Sequence, residues 1–232
     1  MITILKSSER GHLDHGWLDT YHTFSFARYY DPRHMGFRSW RVINEDRVAA
    51  GRGFGMHPHD NMEILTLVME GTLGHKDTLG NGSQIRPGDV QRMSAGTGLA
   101  HAEFNDSESE AVHFFQIWML PDTQNVAPSY EQKYFEPQQK RNRLRLVASK
   151  TGRDDSISIH QDADFYESLL DANSSLTHQL RAGRGAWLQV ARGSLTLNGQ
   201  TLEAGDGAQI EDEAHLEIAT QNGAELLFFD LV

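Results

Sequence analysis

His57-Pro58-His59 sets two imidazoles two residues apart, and His101-Ala102-Glu103 does the same for an imidazole and a carboxylate. Residues i and i+2 of a strand share a face, so each pair would aim both of its side chains the same way. Neutral imidazoles and a carboxylate are donors for Fe, Mn, Ni, Cu or Zn. The chain has no cysteine, which excludes thiolate metal sites, thiol catalysis and disulfides. A six-coordinate ion held by four such donors keeps two positions free, as activation of O2 or of a substrate oxygen requires.

The flanking residues sharpen both pairs. Gly51-x5-His57-x-His59-x3-Glu63 frames the first, and Gly51, Gly53 and Gly55 permit close approach of a neighbouring backbone. Gly88-x5-Ser94-x-Gly96 precedes the second pair, and Asn105 follows it. Two antiparallel strands of one barrel would aim both pairs at a common point. Spacing leaves the carboxylate open between Glu63 and Glu103. Phe54, Met56, Met93 and Phe115 flank the ligand strands and are candidates to line an apolar pocket. The other histidines need no special role. His12, His15, His22 and His34 read as surface or hydrogen-bonded, His75, His160, His178 and His215 stand isolated, and His113 reads as a satisfied core histidine in an apolar strand.

The elements that must position these pairs are strands. Short β-rich runs recur at Ile64–Met69, Val112–Leu120, Leu144–Ala148, Ala186–Val190, Ser194–Leu197 and Glu225–Phe229, separated by turn signals such as Leu79-Gly80-Asn81-Gly82 and Asn198-Gly199. This pattern is all-β, with Asp162–Leu170 as the one short helix candidate. A repeat is visible. LTLVMEGTL (Leu65–Leu73) followed by QIRPGDVQRM (Gln84–Met93) returns as WLQVARGSL (Trp187–Leu195) followed by TLEAGDGAQI (Thr201–Ile210). Gly71 then matches Gly193, and Gly88 matches Gly205. The segment between Pro121 and Arg143, rich in Gln, Asn, Pro and Tyr, reads as a linker between halves. The short basic run at Lys140–Arg145 reads as a solvated strand edge.

A net charge of −11 weighs against nucleic acid as a partner, because such binders need a concentrated positive surface. No apolar run is long enough to span a bilayer as a helix. The N-terminal residues MITILKSSERGH lack a secretory signal pattern, so a cytoplasmic protein is expected.

The two motifs resemble those of the cupin superfamily, G-x5-H-x-H-x3,4-E-x6-G and G-x5-P-x-G-x2-H-x3-N. Three departures stand out: Glu63 and Gly71 are one residue further apart, Ser94 replaces the proline, and two extra residues precede His101. These departures resemble the pirin family. So do the runs GWLDTYHTFSF (Gly16–Phe26), YYDP (Tyr29–Pro32), RVIN (Arg41–Asn44), HPHDNMEILTLVMEG (His57–Gly71), MSAGTGLAHAEFN (Met93–Asn105) and QIWM (Gln116–Met119). The likeness is dense in the N-terminal half and carried by length and repeat in the rest.

The resemblance implies a bicupin, two packed antiparallel β-barrels of the jelly-roll type with little helix. Residues 1–125 would form the metal-binding barrel and 126–232 a degenerate one. It implies metal ligands His57, His59, His101 and Glu103, with Glu103 also the catalytic base and Glu63 in a supporting or salt-bridged role. In the second copy the matching positions fall near Gln179, Arg181 and Ile218, so that barrel is expected to be metal-free and to serve packing. Fe(II) is the expected ion, with Mn, Ni, Cu and Zn compatible with the donors. The implied activity is cleavage of a flavonol such as quercetin with O2 and release of carbon monoxide, in a monomer. The alternative that the family carries is a metal-dependent regulator that binds a partner protein without turnover.

Overall fold

The run Leu18-Asp19-Thr20-Tyr21-His22 alternates buried and half-buried side chains, and Ser174–Gln179 alternates half-buried and exposed ones. Such period-two patterns make half-buried strands, and strands dominate the computed structural model, which describes all residues Met1–Val232. They are β1 (Ile2–Leu5), β2 (Gly11–Asp14), β3 (Leu18–His22), β4 (Trp40–Val48), β5 (Gly53–His59), β6 (Glu63–Glu70) and β7 (Leu73–Asp77). Next come β8 (Gly82–Ile85), β9 (Asp89–Ser94), β10 (Leu99–Phe104), β11 (Val112–Met119), β12 (Ser129–Tyr134), β13 (Arg145–Ser149) and β14 (Ile157–Ser158). The last are β15 (Ala163–Leu170), β16 (Ser174–Gln179), β17 (Gly185–Leu197), β18 (Gln200–Glu203), β19 (Gly207–Ile210), β20 (His215–Thr220) and β21 (Ala224–Leu231). One short α-helix, α1 (Pro137–Lys140), and two 3₁₀ turns complete the elements.

The chain divides into two compact units. One is Gly11–Tyr134 with Ile159–Gln161; the other joins Met1–Arg10, Phe135–Ser158 and Asp162–Val232. The first holds a seven-stranded sheet in the order β12-β9-β6-β11-β4-β3-β2 and a four-stranded sheet β5-β10-β7-β8. The second repeats both orders strand for strand, as β1-β19-β17-β21-β15-β13-β14 and β16-β20-β17-β18, the long β17 serving in both. All pairings are antiparallel except β13 with β14.

The repeat seen in the sequence therefore has a physical basis. Gly71 and Gly193 both sit at positive φ, 78° and 73°, where a side chain would press on the start of β11 and β21 respectively. The two Gly-Asp turns close alike. The Asp89 carboxylate accepts the Arg86 N–H at 2.9 Å, and the Asp206 carboxylate accepts the Glu203 N–H at 3.0 Å.

Three expectations need correction. Asp162–Leu170 is not helical, since Ala163–Leu170 is the strand β15, paired on both sides by β13 and β21. Burial of both its faces erases the alternation that marks a strand. The segment between Pro121 and Arg143 is more than a linker, because β12 pairs with β9 over Ser129–Tyr134. The basic run is no strand edge: Lys140 ends α1 and is buried, with Nζ 2.6 Å from Glu167. The two compact units part at Tyr134/Phe135, and Met1–Arg10 belongs to the second.

Candidate metal centre

The strands β5 and β10 pair so that His57 lies opposite His101 and His59 opposite Leu99. A bulge then shifts the register, and Glu103 falls opposite Phe54, which re-aims the side chains around it. Gly53 makes the close approach possible. A Cβ there would stand 2.2 Å from the Glu103 carbonyl oxygen and 2.7 Å from the Phe104 Cα.

This pairing brings three of the four predicted residues together. One ring nitrogen from each of His57, His59 and His101 lies within 4.8 Å of the other two. The Nε2 atoms of His59 and His101 are 3.1 Å apart. Nδ1 of His57 donates to the Gly55 carbonyl at 2.7 Å, which leaves its Nε2 lone pair free. Burial, then the neighbouring His57, lowers the pKa of His59 to about 4. Burial, then His57, His59 and His75, lowers that of His101 to about 3. Both rings are thus neutral at pH 7, the form that ligates metals.

Glu103 stands outside the imidazole triad. Its carboxylate is buried, and its hydrogen-bond partner is Gln116, whose Nε2 lies 2.8 and 2.9 Å from its two oxygens. Burial pushes its pKa up to about 7 against the effect of that hydrogen bond. A buried carboxylate served by a neutral amide lacks a counter-charge.

A divalent cation fits this set. Ligand bonds of about 2.05 Å at right-angled to tetrahedral spacing would place imidazole nitrogens about 2.9 to 3.4 Å apart. The His59 to His101 separation lies within that range. The three grouped donors are neutral imidazoles, which suit a divalent transition-metal ion.

The other candidate carboxylate is engaged elsewhere. Glu63 is buried and accepts from the Ser94 hydroxyl at 3.0 Å and the His160 backbone N–H at 3.1 Å, with the His160 ring 3.2 Å away. Ser94, which departs from the cupin motif, is thus the residue that holds Glu63. Asn105 donates to the Val48 and Glu110 carbonyls and closes the loop after β10. His113 pairs through Nε2 with Glu45 at 2.9 Å, while its buried Nδ1 has no hydrogen-bond partner, so the satisfied histidine expected there is satisfied at one nitrogen only.

Beside the triad opens a cavity of about 480 Å³, walled by His57, Glu103, Gln116, Trp118, Phe54, Phe26, Leu13, Leu18, Thr20, His22, Asn44 and Asp46 among others. Of the four residues expected to line a pocket, Phe54 does. Met93 is buried with Ile64 and Leu99, and Met56 is exposed. Phe115 alternates with the cavity-lining Gln116 along β11 and is not among the wall residues.

Sequence reasoning missed Gln116, Trp118 and His75. Gln116 was legible as the one uncharged polar residue within the apolar run Phe114–Met119. His75, set aside as isolated, is buried 5.4 Å from the His101 ring and bonded to Asp77 at 3.2 Å. In the second unit the strand register sets Leu216 where His101 stands and Ile218 where Glu103 stands, both buried. His178, opposite Leu216, takes the place of His57 and bonds Asp230 at 3.3 Å.

Residues 5–119 match the family model Pirin, and residues 146–231 match the quercetinase C-terminal cupin domain. A quercetin 2,3-dioxygenase of Escherichia coli K12 is 47% identical over 231 residues, covering 100% of this chain and 99% of the relative. A pirin-like protein of Caulobacter vibrioides is 42% identical over 221 residues, covering 95% of each. The crystal structure of the bacterial pirin YhhW from Escherichia coli, in complex with nickel(II), superposes with a TM-score of 0.95 at 47% identity, covering 100% of this chain and 99% of that one. Similarity along the whole length, on the same two-part fold, leads to one conclusion: the chain belongs to the pirin family.

Proposed function

We propose that this protein is a metal-dependent dioxygenase that cleaves a flavonol such as quercetin with O2, giving a phenolic ester and carbon monoxide. The observation that carries the reading is the shared wall. His57 of the imidazole triad and the buried Glu103 both face one largely apolar cavity, large enough for an aromatic ligand. The quercetin 2,3-dioxygenase relative at 47% identity supports the choice of substrate.

His57, His59, His101 and Glu103 would hold the ion, Fe(II) in our reading, in a jelly-roll barrel formed by the first unit. The second unit would be a like barrel without metal, and the protein a cytoplasmic monomer. Once bound there, a divalent ion would supply Lewis acidity toward the flavonol oxygen. Phe54, Phe26 and Trp118 enclose the aromatic rings and exclude water. Glu103, which lies in the cavity wall beside the triad's His57, would accept the proton of the flavonol hydroxyl. Holding flavonolate and O2 together makes ring opening an intramolecular step. Both atoms of O2 enter the ester product, and one ring carbon leaves as carbon monoxide with its own oxygen.

The test is oxygen uptake and carbon monoxide release by protein loaded in turn with Fe(II), Mn(II), Ni(II) and Cu(II), on a flavonol panel. Turnover that requires O2 and yields carbon monoxide is expected. Metal binding without turnover on any flavonol would overturn the reading in favour of a metal-dependent binding protein.

A further inference from the structure

Gln116 meets Glu103 and Trp118 at once. Its Nε2 donates to both Glu103 oxygens, at 2.8 and 2.9 Å, while its Oε1 accepts from Trp118 Nε1 at 3.1 Å. An indole N–H can only donate. It therefore meets the amide oxygen and turns the amide NH2 toward the carboxylate. Without that donor, a flipped amide would set oxygen against oxygen. The Trp118 ring also stands edge-on to His59, with centroids 4.7 Å apart at 82°. Gln116 and Trp118 lie two apart on β11, which is paired on both sides by β4 and β6. A side chain based on such a strand is held more rigidly than one on a loop.

We infer that Trp118 and Gln116 are positioning residues that fix the orientation of the Glu103 carboxylate toward the imidazole triad. The inference rests on Glu103 serving as a metal ligand. Trp118 acts twice, by packing on His59 and, through the Gln116 amide, by orienting Glu103. Partners of this kind fix the direction of ligands and commonly govern affinity by one or two orders of magnitude.

The experiment measures Ni(II) affinity by chelator competition, and the Cu(II) electron paramagnetic resonance spectrum, in Gln116→Leu and Trp118→Phe. Trp118→Phe keeps a ring against His59 and removes only the donor. Ni(II) affinity is expected to fall about tenfold in Trp118→Phe and about 10- to 100-fold in Gln116→Leu, with a shifted Cu(II) spectrum in each. In a Glu103→Gln background, Gln116→Leu is expected to change affinity by less than about twofold, because its effect runs through the carboxylate. Affinity and spectrum unchanged in both single variants would overturn the proposal, as would an undiminished loss in the Glu103→Gln background. If Glu103→Gln alone binds Ni(II) as tightly as the parent, the ligand assignment itself fails. If it binds weakly while Gln116→Leu and Trp118→Phe bind normally, only the positioning role fails.

Discussion

His59 and His101 face each other through their Nε2 atoms at 3.1 Å, from adjacent strands. Burial keeps both rings neutral, so a proton or a cation must lie between the two nitrogens. The Nε2 of His101 faces that of His59, and the ring belongs to the grouped triad. His101→Ala is therefore expected to abolish Ni(II) binding in isothermal titration calorimetry. Retained stoichiometric binding with an affinity near the parent's would contradict it.

Glu63 answers to a different demand. Its three contacts, from the Ser94 hydroxyl and the backbone and ring of His160, organise the buried ground beside β6 and β9. Glu63→Gln is expected to leave one metal per chain by elemental analysis. Loss of charge-assisted hydrogen bonds should lower stability by about 2 kcal/mol in urea unfolding. Metal loss in this variant, with retention in Glu103→Gln, would reverse the assignment of the carboxylate.

Gly53 and Gly55 make a controlled pair. A Cβ on Gly53 would collide with the backbone of Glu103 and Phe104, whereas one on Gly55 meets nothing within 4 Å. Gly53→Ala should force β5 away from β10, costing about 1 to 3 kcal/mol and weakening metal binding. Gly55→Ala should match the parent in melting temperature and affinity; equal behaviour of the two variants would refute the steric argument.

Asp206 predicts an acid limb of stability. Burial alone would raise its pKa, but the Glu203 N–H, the Lys6 ammonium and the Ser7 N–H together hold it below the usual 3.8. The unfolded chain then binds the proton more readily than the folded one. The stabilisation is complete above the ordinary carboxylate pKa and is lost as pH falls through the lower folded value. Asp206→Asn should cost about 2 kcal/mol at pH 7 and show a flatter decline below pH 4 in urea titrations. Parallel curves for parent and variant would disprove the linkage.

The imidazoles were legible because a period of two places His57 and His59 on one face of β5, and because the flanking glycines and Asn105 gave both motifs a context. Glu103 was not separable from Glu63 by spacing, since what distinguishes them is their partners: Gln116 from β11 for one, Ser94 and His160 for the other. Gln116 lies 13 residues from Glu103, and His160 lies 97 from Glu63. No local pattern reports contacts at such distances. The strand β15 was misread for a related reason. Asp-Phe-Tyr-Glu-Ser-Leu-Leu spaces its apolar residues as an amphipathic helix would, and only pairing with β13 and β21 decides for a strand. The repeat was easiest to read, because each Gly-Asp turn is closed by its own side chain three residues back.

The place of β1 bears on how the molecule is made. Ile2–Leu5 pairs with Gly207–Ile210, so this strand has no partner until about two hundred further residues have been added. At about 5 to 20 residues per second, it waits roughly 10 to 40 seconds. In that interval the segment Gly11–Tyr134, which carries the whole imidazole triad, can already have folded. The unit that carries the triad would then form before β1 finds its partner in the other unit.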